Sequence, residues 1–211
     1  MRTATGPENV DGRRVRRDRN RDAVVDALLT LYRAGNLEPS SAEIAERAGL
    51  SPRSLFRYFD DVDDLCEAAI ARQEERIRPL AVIGAAPSDP FETRISALVA
   101  QRIAMFDAMG QVGAVARLKA PFLPIIAAEL TQMRGFFRNQ LKQLFANELA
   151  TLPTARAAAV LAALDVLTSF ESYQLLRTDQ SLSQAECSSI LVDTLAALLA
   201  APSVTDREVD R

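Results

Sequence analysis

The sequence predicts an all-α protein with a small N-terminal domain and a larger helical body. Alanine and leucine, both good helix formers, dominate its 211 residues. The eight glycines and ten prolines gather at a few places, which divides the chain into helical stretches separated by sharp breaks. This length suffices for one ordinary domain and a smaller one.

The pattern of residues 1–34 predicts a flexible arm followed by one helix. Residues 1–18 are rich in arginine, contain glycine and proline, and lack an apolar period, so they predict a flexible arm. Over residues 19–34 the apolar residues recur at helical spacing, and Gly35 supplies a stop.

Two short helices follow, each marked by a cap. Ser40 begins a capping box ahead of a helix over 41–48. Gly49 suits the left-handed conformation of a tight turn, and Ser51 then caps a helix over 52–59.

The rest of the chain predicts a linking helix and a helical body. The predicted helices cover residues 62–78, 91–109, 125–150, 154–177 and 183–201, with a broken stretch over 110–124. The predicted domains are the arm (1–18), a helix-turn-helix domain (19–65), the body (66–201) and a polar tail (202–211).

Charge is distributed unevenly along the chain. Residues 1–58 hold 11 arginines and 8 acidic residues, a balance of +3, whereas the remainder holds 14 basic and 20 acidic residues, a balance of −6. A basic head on an acidic body indicates a polyanionic partner for the head alone.

The residue types disfavour an enzyme. Histidine is absent, so most zinc sites and the commonest acid-base chemistry lose their usual participant. Cys66 and Cys187 lie far apart in apolar helical patterns, which predicts buried thiols. We expect no catalytic site, metal or cofactor. The longest apolar stretches fall short of the ~20 residues of a spanning helix, so we expect no membrane association and a cytoplasmic location.

Residues 40–59 have the pattern of a DNA-binding helix-turn-helix: a helix, a three-residue turn with glycine, and a helix. In the second helix Leu55 and Phe59, four residues apart, face the core. The residues left on the outer faces are Arg53, Ser54, Arg57 and Tyr58. Arginine suits guanine edges or phosphates, and hydroxyls can donate to phosphate. From this pattern alone, a solvated basic face explains the same residues equally well.

Residues 44–59, with the sequence IAERAGLSPRSLFRYF, resemble the signature of the TetR family of transcriptional repressors, and the gapless resemblance extends from about Asp22 to Leu65. It implies a recognition helix over 52–59. The positions that it implies for DNA contact are Pro52, Arg53, Ser54, Phe56, Arg57 and Tyr58, together with Ser40 and Ser41 at phosphates.

Two positions depart from the family pattern. Phe56 stands where the family often has a tyrosine, and Val62 where it often has a lysine. Four aspartates around Val62 fit a helix N-terminus, but they would weaken binding to a phosphate backbone. We expect arginines of the arm to compensate by reaching phosphates or the minor groove, although a solubilising tail is the alternative. These arginines are Arg13, Arg14, Arg16, Arg17, Arg19 and Arg21.

The resemblance also implies a ligand cavity in the body. Phenylalanine and methionine are frequent there and suit an adaptable apolar cavity, although core packing explains them as well. The candidate ligand-binding residues are Arg102, Met105, Phe106, Met109, Met133, Phe137, Phe170 and Tyr173. A small lipophilic or amphipathic ligand fits such residues.

The last two helices predict a dimer interface. Their apolar stripes and alanines allow close helix packing, so two helices from each subunit would form a four-helix interface. Packing onto their own body is compatible with the same pattern. The candidate interface residues are Leu161, Leu164, Leu167, Ile190, Leu191, Leu195 and Leu198.

These observations predict a homodimeric DNA-binding regulator, a repressor that acts at a palindromic operator in double-stranded DNA and is relieved by a lipophilic ligand. The alternative is a helical ligand-binding protein or small enzyme with a vestigial helix-turn-helix. Against an enzyme, the carboxylates of this sequence show no metal-binding spacing, and the sequence has no glycine-rich phosphate loop.

Overall fold

The structure, a computed structural model, describes the backbone of residues 8–200 and the side chains of residues 14–200. Every regular element in this part of the chain is helical, which confirms the predicted fold class. The α-helices are α1 (Glu8–Arg33), α2 (Ser41–Arg47), α3 (Pro52–Leu55), α4 (Val62–Ile77), α5 (Phe91–Lys119), α6 (Pro124–Leu144), α7 (Ala146–Ala150), α8 (Thr154–Leu167), α9 (Phe170–Gln174) and α10 (Gln184–Ala200). A 3₁₀ segment (Arg78–Ala81) follows α4, and a π-helical turn (Leu175–Asp179) follows α9.

The chain divides into two compact units. The first contains the residues up to Arg76 together with Gly110–Ala127, and the second contains Ile77–Met109 and the chain from Ala128 onward. The division therefore falls near the end of α4 rather than after residue 65, where the sequence predicted it. Most of α4 belongs to the first unit because its apolar side chains are buried there, namely Leu65, Cys66, Ala69 and Ile70.

Helix α1 begins at Glu8, well before the predicted start near Arg19. Residues 8–18, which were predicted as part of a flexible arm, are therefore helical. Arginine is a good helix former, and Asp18 lies four residues after Arg14 and three before Arg21, so the missing apolar period indicates an exposed helix rather than no helix. The predicted arm residues 1–7 and the predicted tail lie outside the described residues.

Polar contacts join α1 to α4 within the first unit. The Arg72 guanidinium forms an ion pair with Asp22 and contacts the Asp26 carboxylate at 3.4 Å. The buried Tyr32 hydroxyl donates to Cys66 Sγ at 3.3 Å, and burial raises the pKa of that thiol. Cys66 and Cys187 are both free and buried, as the sequence predicted.

Helix α5 is kinked at Gly110, where φ is 48° and ψ is −139°. Only glycine takes this backbone conformation at low cost, so the predicted end of a helix near Met109 corresponds to the kink. The chain is thus broken at Gly110 and again over residues 120–123, but the prediction of a broken stretch was wrong between them, where a helix continues as far as Lys119. Val112, Val115 and Ala116 give this second part a buried face at helical spacing.

Two predicted long helices are each divided. The predicted helix over 125–150 ends at Leu144 and is followed by α7, and the one over 154–177 ends at Leu167. Ser169 then caps α9, because its hydroxyl oxygen accepts from Ser172 N at 3.1 Å. The apolar period continues across both breaks, so it did not reveal them.

The second unit has an apolar core to which α5, α6, α8, α9 and α10 all contribute. The buried Arg94 lies against residues of this core. Its Nη1 donates to Leu144 O at 2.7 Å, its two Nη atoms contact both carboxylate oxygens of Glu148 at 3.0 and 2.5 Å, and its Nε donates to Asp89 O at 3.0 Å. The hydrogen bond from Arg94 lowers the pKa of Glu148. This pair is a fully satisfied structural ion pair, which the sequence analysis missed.

We predict that Arg94→Met lowers the free energy of unfolding by about 3 kcal/mol, because it leaves the Glu148 carboxylate without its cation. Urea titration of the two proteins gives the difference. The control is Arg138→Met, which removes an exposed pair with Asp165 and should cost at most about 1 kcal/mol. Equal losses in the two variants would contradict the structural role of Arg94.

Candidate nucleic-acid interface

Helices α2 and α3 form the predicted helix-turn-helix. Gly49, in the turn between them, has a φ of 68°, and Leu50 N donates to Ala45 O at 2.8 Å to close the turn. Ala45 and Leu55 are completely buried, one on each helix. The turn and these buried side chains fix α3 relative to α2.

Both short helices are capped as predicted. Ser40 Oγ accepts from Glu43 N at 3.3 Å, while Glu43 Oε2 accepts from Ser40 N at 2.7 Å. The bonds from the Ser40 side chain and backbone, together with one from Asn36, lower the pKa of Glu43. Ser51 Oγ accepts from Ser54 N at 3.3 Å and so caps α3. Because the Ser40 hydroxyl also donates to Glu43 at 2.6 Å, a phosphate contact by Ser40 would compete with the cap.

Helix α3 is shorter than predicted. The α-helix ends at Leu55 instead of Phe59, and the next residues form tighter turns in which Arg57 N donates to Ser54 O at 3.2 Å and Tyr58 N to Leu55 O at 2.9 Å. Leu55 and Phe59 are nevertheless both buried, as predicted. We call residues 52–59 the recognition segment.

The outer side of the recognition segment carries most of the predicted contact residues. Four side chains are exposed there, namely Pro52, Arg53, Phe56 and Arg57. Ser54 and Tyr58 are half-buried, and so is Ser41 at the start of α2. Ser54 Oγ lies 2.9 Å from Ser51 Oγ. The exposed part of the segment is therefore two guanidinium groups beside an aromatic ring.

Helix α1 supports the recognition segment through two side chains that the sequence analysis did not identify as supports. Asn20 Nδ2 donates to the Tyr58 hydroxyl at 2.8 Å, and the Arg21 guanidinium lies 4.7 Å from the centre of the Phe59 ring. A phenol hydroxyl that accepts one bond keeps its own proton for another acceptor, such as a phosphate oxygen. These contacts join residues that are 38 positions apart in the sequence, so no local pattern could have indicated them.

The predicted arm arginines lie on the exposed N-terminal part of α1. Their exposed members are Arg14, Arg16, Arg17, Arg19 and Arg21, whereas Arg13 belongs to the helix but its side chain lies outside the described residues. Arg16 precedes Asn20, and Arg17 precedes Arg21, by about one helical turn. Both therefore continue the faces of α1 that meet Tyr58 and Phe59.

The aspartates after the recognition segment cap α4, as predicted. Asp61 Oδ1 accepts from Asp64 N at 2.8 Å, and Asp64 Oδ2 accepts from Asp60 N at 3.1 Å. Val62, where the family often has a lysine, is half-buried.

The candidate ligand residues come together in the second unit. Seven of the eight are buried, namely Arg102, Met105, Phe106, Met109, Phe137, Phe170 and Tyr173, and Met133 packs against the same core. The Phe106 ring lies 5.8 Å from that of Phe170 and 5.9 Å from that of Tyr173. The Tyr173 hydroxyl donates to Asp107 Oδ1 at 2.6 Å.

The candidate interface residues do not form one outward surface. Leu164, Leu191 and Leu195 have at most 4% exposure within a single chain, so their side chains serve its core instead of a partner. Leu161, Leu167 and Leu198 are half-buried against that core, and Ile190 is exposed. The apolar stripes of these helices therefore lie mostly on their inward faces, with Ile190 on the outside.

The outward faces carry a largely different set of residues, which shares only Ile190 with the candidate interface residues. Beyond its first residue, Thr154, α8 has the exposed side chains Ala155, Ala158, Ala159, Ala162 and Val166, and those in the middle of α10 are Ser189, Ile190, Asp193 and Ala197. We call these two sets the α8–α10 face. It is small, nearly uncharged and partly apolar.

None of the helices in the described part of the chain is both long and apolar enough to cross a membrane. Across residues 14–200, no group of three or more acidic or cysteine side chains is arranged to hold a metal ion.

Comparison with known proteins identifies the helix-turn-helix. Residues 29–69 match the family model for bacterial regulatory proteins of the tetR family. No curated protein matches the chain. Three similar solved structures cover most of it. A tetR-family transcriptional regulator from Streptomyces coelicolor is 22% identical, with a TM-score of 0.67, over 86% of this chain and 80% of that one.

The other two structures have names that refer to small molecules. The multidrug binding protein EbrR, solved with imidazole, is 19% identical with a TM-score of 0.52, over 87% of this chain and 91% of that one. The fatty acid degradation regulator FadR from Bacillus halodurans is 16% identical with a TM-score of 0.51, over 93% and 97%. Residues 29–69 thus match the tetR family model, and the chain has the fold of solved TetR-family transcriptional regulators.

Proposed function

We propose that this protein is a transcriptional repressor that binds a palindromic operator as a homodimer and is released from it by a small lipophilic ligand. The observation that carries the DNA-binding part is the exposure of Arg53 and Arg57 on a capped recognition segment whose apolar side is buried. The family match of residues 29–69 favours this function over an enzyme or a ligand carrier with a vestigial helix-turn-helix. Such a regulator works where bacterial DNA is, in the cytoplasm.

The side chains divide between base and phosphate contacts. Arg53 and Arg57 have the planar fork that matches guanine edges in the major groove as well as phosphates. Tyr58, whose hydroxyl accepts a bond from Asn20, and Ser41 would donate to phosphate oxygens. The arginines on the N-terminal part of α1 add a sequence-independent contribution that offsets the aspartates at the start of α4.

We predict that Arg57→Ala weakens operator binding by about 1–3 kcal/mol if the side chain contacts a base, with relaxed specificity at one position. If it contacts a phosphate, the loss is similar for all sequences. Fluorescence anisotropy with operator and scrambled duplexes distinguishes the two. Arg138→Ala, an exposed arginine of the second unit, is the control. Unchanged operator affinity in a variant lacking both Arg53 and Arg57 would refute the interface.

The homodimer follows from the size of the recognition segment and from the α8–α10 face. One short segment contacts too few bases for specificity, whereas a two-fold dimer doubles the contacts and matches a palindrome. The α8–α10 face supports this assembly because its alanines allow close helix approach and Val166 and Ile190 remain 64% and 41% exposed.

We predict that Val166→Asp combined with Ile190→Asp converts the dimer to a monomer at micromolar concentration, because charges would be buried between the subunits. Sedimentation velocity measures the mass, and circular dichroism shows whether the fold is kept. Val82→Asp, at a 75% exposed position outside α8 and α10, should remain dimeric. A double variant that still sediments as a dimer would exclude this face.

The ligand-binding part of the proposal concerns the apolar cluster around Phe106. Aromatic and methionine side chains from α5, α6 and α9 meet there, and methionine adapts easily to a ligand. The multidrug-binding and fatty-acid-related names of two structural neighbours agree with a lipophilic ligand. Helix α4 is covalently continuous with the recognition segment on one side and with the second unit on the other, so it offers a route for coupling.

We predict reciprocal coupling between ligand and operator. A ligand that lowers operator affinity by a given factor must itself bind less tightly to the operator complex by the same factor, and typical couplings are about 1–3 kcal/mol. Isothermal titration of the ligand with and without operator DNA measures the ligand affinity of the free protein and of the operator complex. Equal ligand affinities in the two titrations would contradict the release mechanism.

A further inference from the structure

Arg102 on α5 is a buried cation that forms no ion pair with a carboxylate among the described residues. Only 1% of its surface is exposed. Its hydrogen bonds go to neutral oxygens: Nη1 donates to Gln101 Oε1 at 2.5 Å and to Gln140 Oε1 at 3.0 Å, and Nη2 to Phe137 O at 3.4 Å. By contrast, the guanidinium of Arg94, on the same helix, is neutralised by the Glu148 carboxylate, as is usual for a buried arginine.

The free hydrogen-bonding capacity of Arg102 lies on one edge of the guanidinium. Nε has no hydrogen-bond partner among the described residues, and Nη2 has only the long bond to Phe137 O. An arginine presents Nε–H and one Nη2–H side by side, in the spacing of the two oxygens of a carboxylate. Both glutamines occupy Nη1, at the other side of the group.

The burial of this charge carries a cost in the ligand-free protein. Desolvation lowers the pKa of Arg102 to about 10, against a smaller opposing effect of the Asp165 charge, so the group remains protonated at neutral pH. The centre of the Phe137 ring lies 4.3 Å from the guanidinium carbon, and this contact offsets only part of the cost of burying the charge. A positive charge kept in an apolar core is expected to have a role other than stability.

We propose that the Nε–Nη2 edge of Arg102 binds a carboxylate group of the effector, so that the ligand is an apolar monoanion. This inference rests on the proposed ligand-sensing function and names the chemistry of its ligand. One guanidinium in apolar surroundings neutralises one negative charge, which fits a carboxylate better than a phosphate dianion. The Phe137 ring packs against the guanidinium, and Met105, a flexible candidate ligand residue, contacts Gln101, which itself accepts a hydrogen bond from Arg102. The apolar remainder of the ligand would therefore meet apolar side chains.

The two glutamines connect this site to the 3₁₀ segment. Gln101 Nε2 donates to Leu80 O and Gln140 Nε2 donates to Ala81 O, both at 2.7 Å. The segment that contains these two carbonyls follows α4 directly in the chain. A carboxylate that draws the guanidinium away from the glutamines would therefore alter the bonds that hold the 3₁₀ segment, directly after α4.

The test compares two probes that share a ten-carbon chain, decanoate and 1-decanol, at pH 7.5. Isothermal titration of the full chain should show that decanoate binds about tenfold or more tightly, the size expected for a charge-assisted bidentate contact. Arg102→Met should remove this preference and leave 1-decanol binding nearly unchanged. Arg102→Lys, which keeps the charge without the fork, should retain part of the preference. Arg138→Met, the matched variant at an exposed arginine, should retain all of it.

Several results would contradict the carboxylate site. Equal affinity of the two probes for the unmodified protein, or an undiminished preference in Arg102→Met, would overturn the carboxylate site while leaving a lipophilic ligand in place. Failure of both probes to bind at millimolar concentration would contradict the ligand-sensing function and the carboxylate site together. Thermal melting adds an independent readout: Arg102→Met should lose less Tm than Arg94→Met, and an equal or larger loss would assign Arg102 to structural support.

Discussion

The recognition segment, the surface proposed to bind DNA, depends on the burial of Leu55 and Phe59. A helix of four residues has no stability of its own in water, because isolated helices below about 12 residues are marginal. Its conformation is imposed by these two buried side chains, by the Ser51 cap and by the glycine turn that joins it to α2. Only because the apolar side is held in this way do Arg53 and Arg57 project together from the opposite side.

Local sequence signals predicted most of the N-terminal unit. The capping box at Ser40, the cap at Ser51 and the turn at Gly49 each involve residues within a few positions of one another, and all three are present in the structure. The contact of Asn20 with Tyr58 depends on how α1 packs, so no spacing in the sequence could indicate it. The helical residues 8–18 were missed because apolar periodicity does not detect a helix without a buried face, and the described side chains of this stretch, those of residues 14–18, are all exposed.

In the second unit, by contrast, the sequence located the helices but did not reveal which of their side chains face inward. Apolar periods located its helices, yet they did not distinguish a face that packs inward from one that would meet a second subunit, which is why Leu164 and Leu195 were assigned to an interface. Arg94 and Arg102 are both arginines on one helix with similar neighbours in sequence, but one is neutralised by Glu148 and the other is not. That difference arises from residues dozens of positions away and appears only in three dimensions.

The central claim, a dimeric regulator that recognises specific DNA, is tested most directly by selecting bound sequences from a random pool of duplexes with the full-length protein. The account predicts a palindromic consensus whose half-sites are separated by about one helical turn or a multiple of it, as two symmetric recognition segments require. A pool that shows no enriched sequence after repeated selection at physiological salt would contradict it.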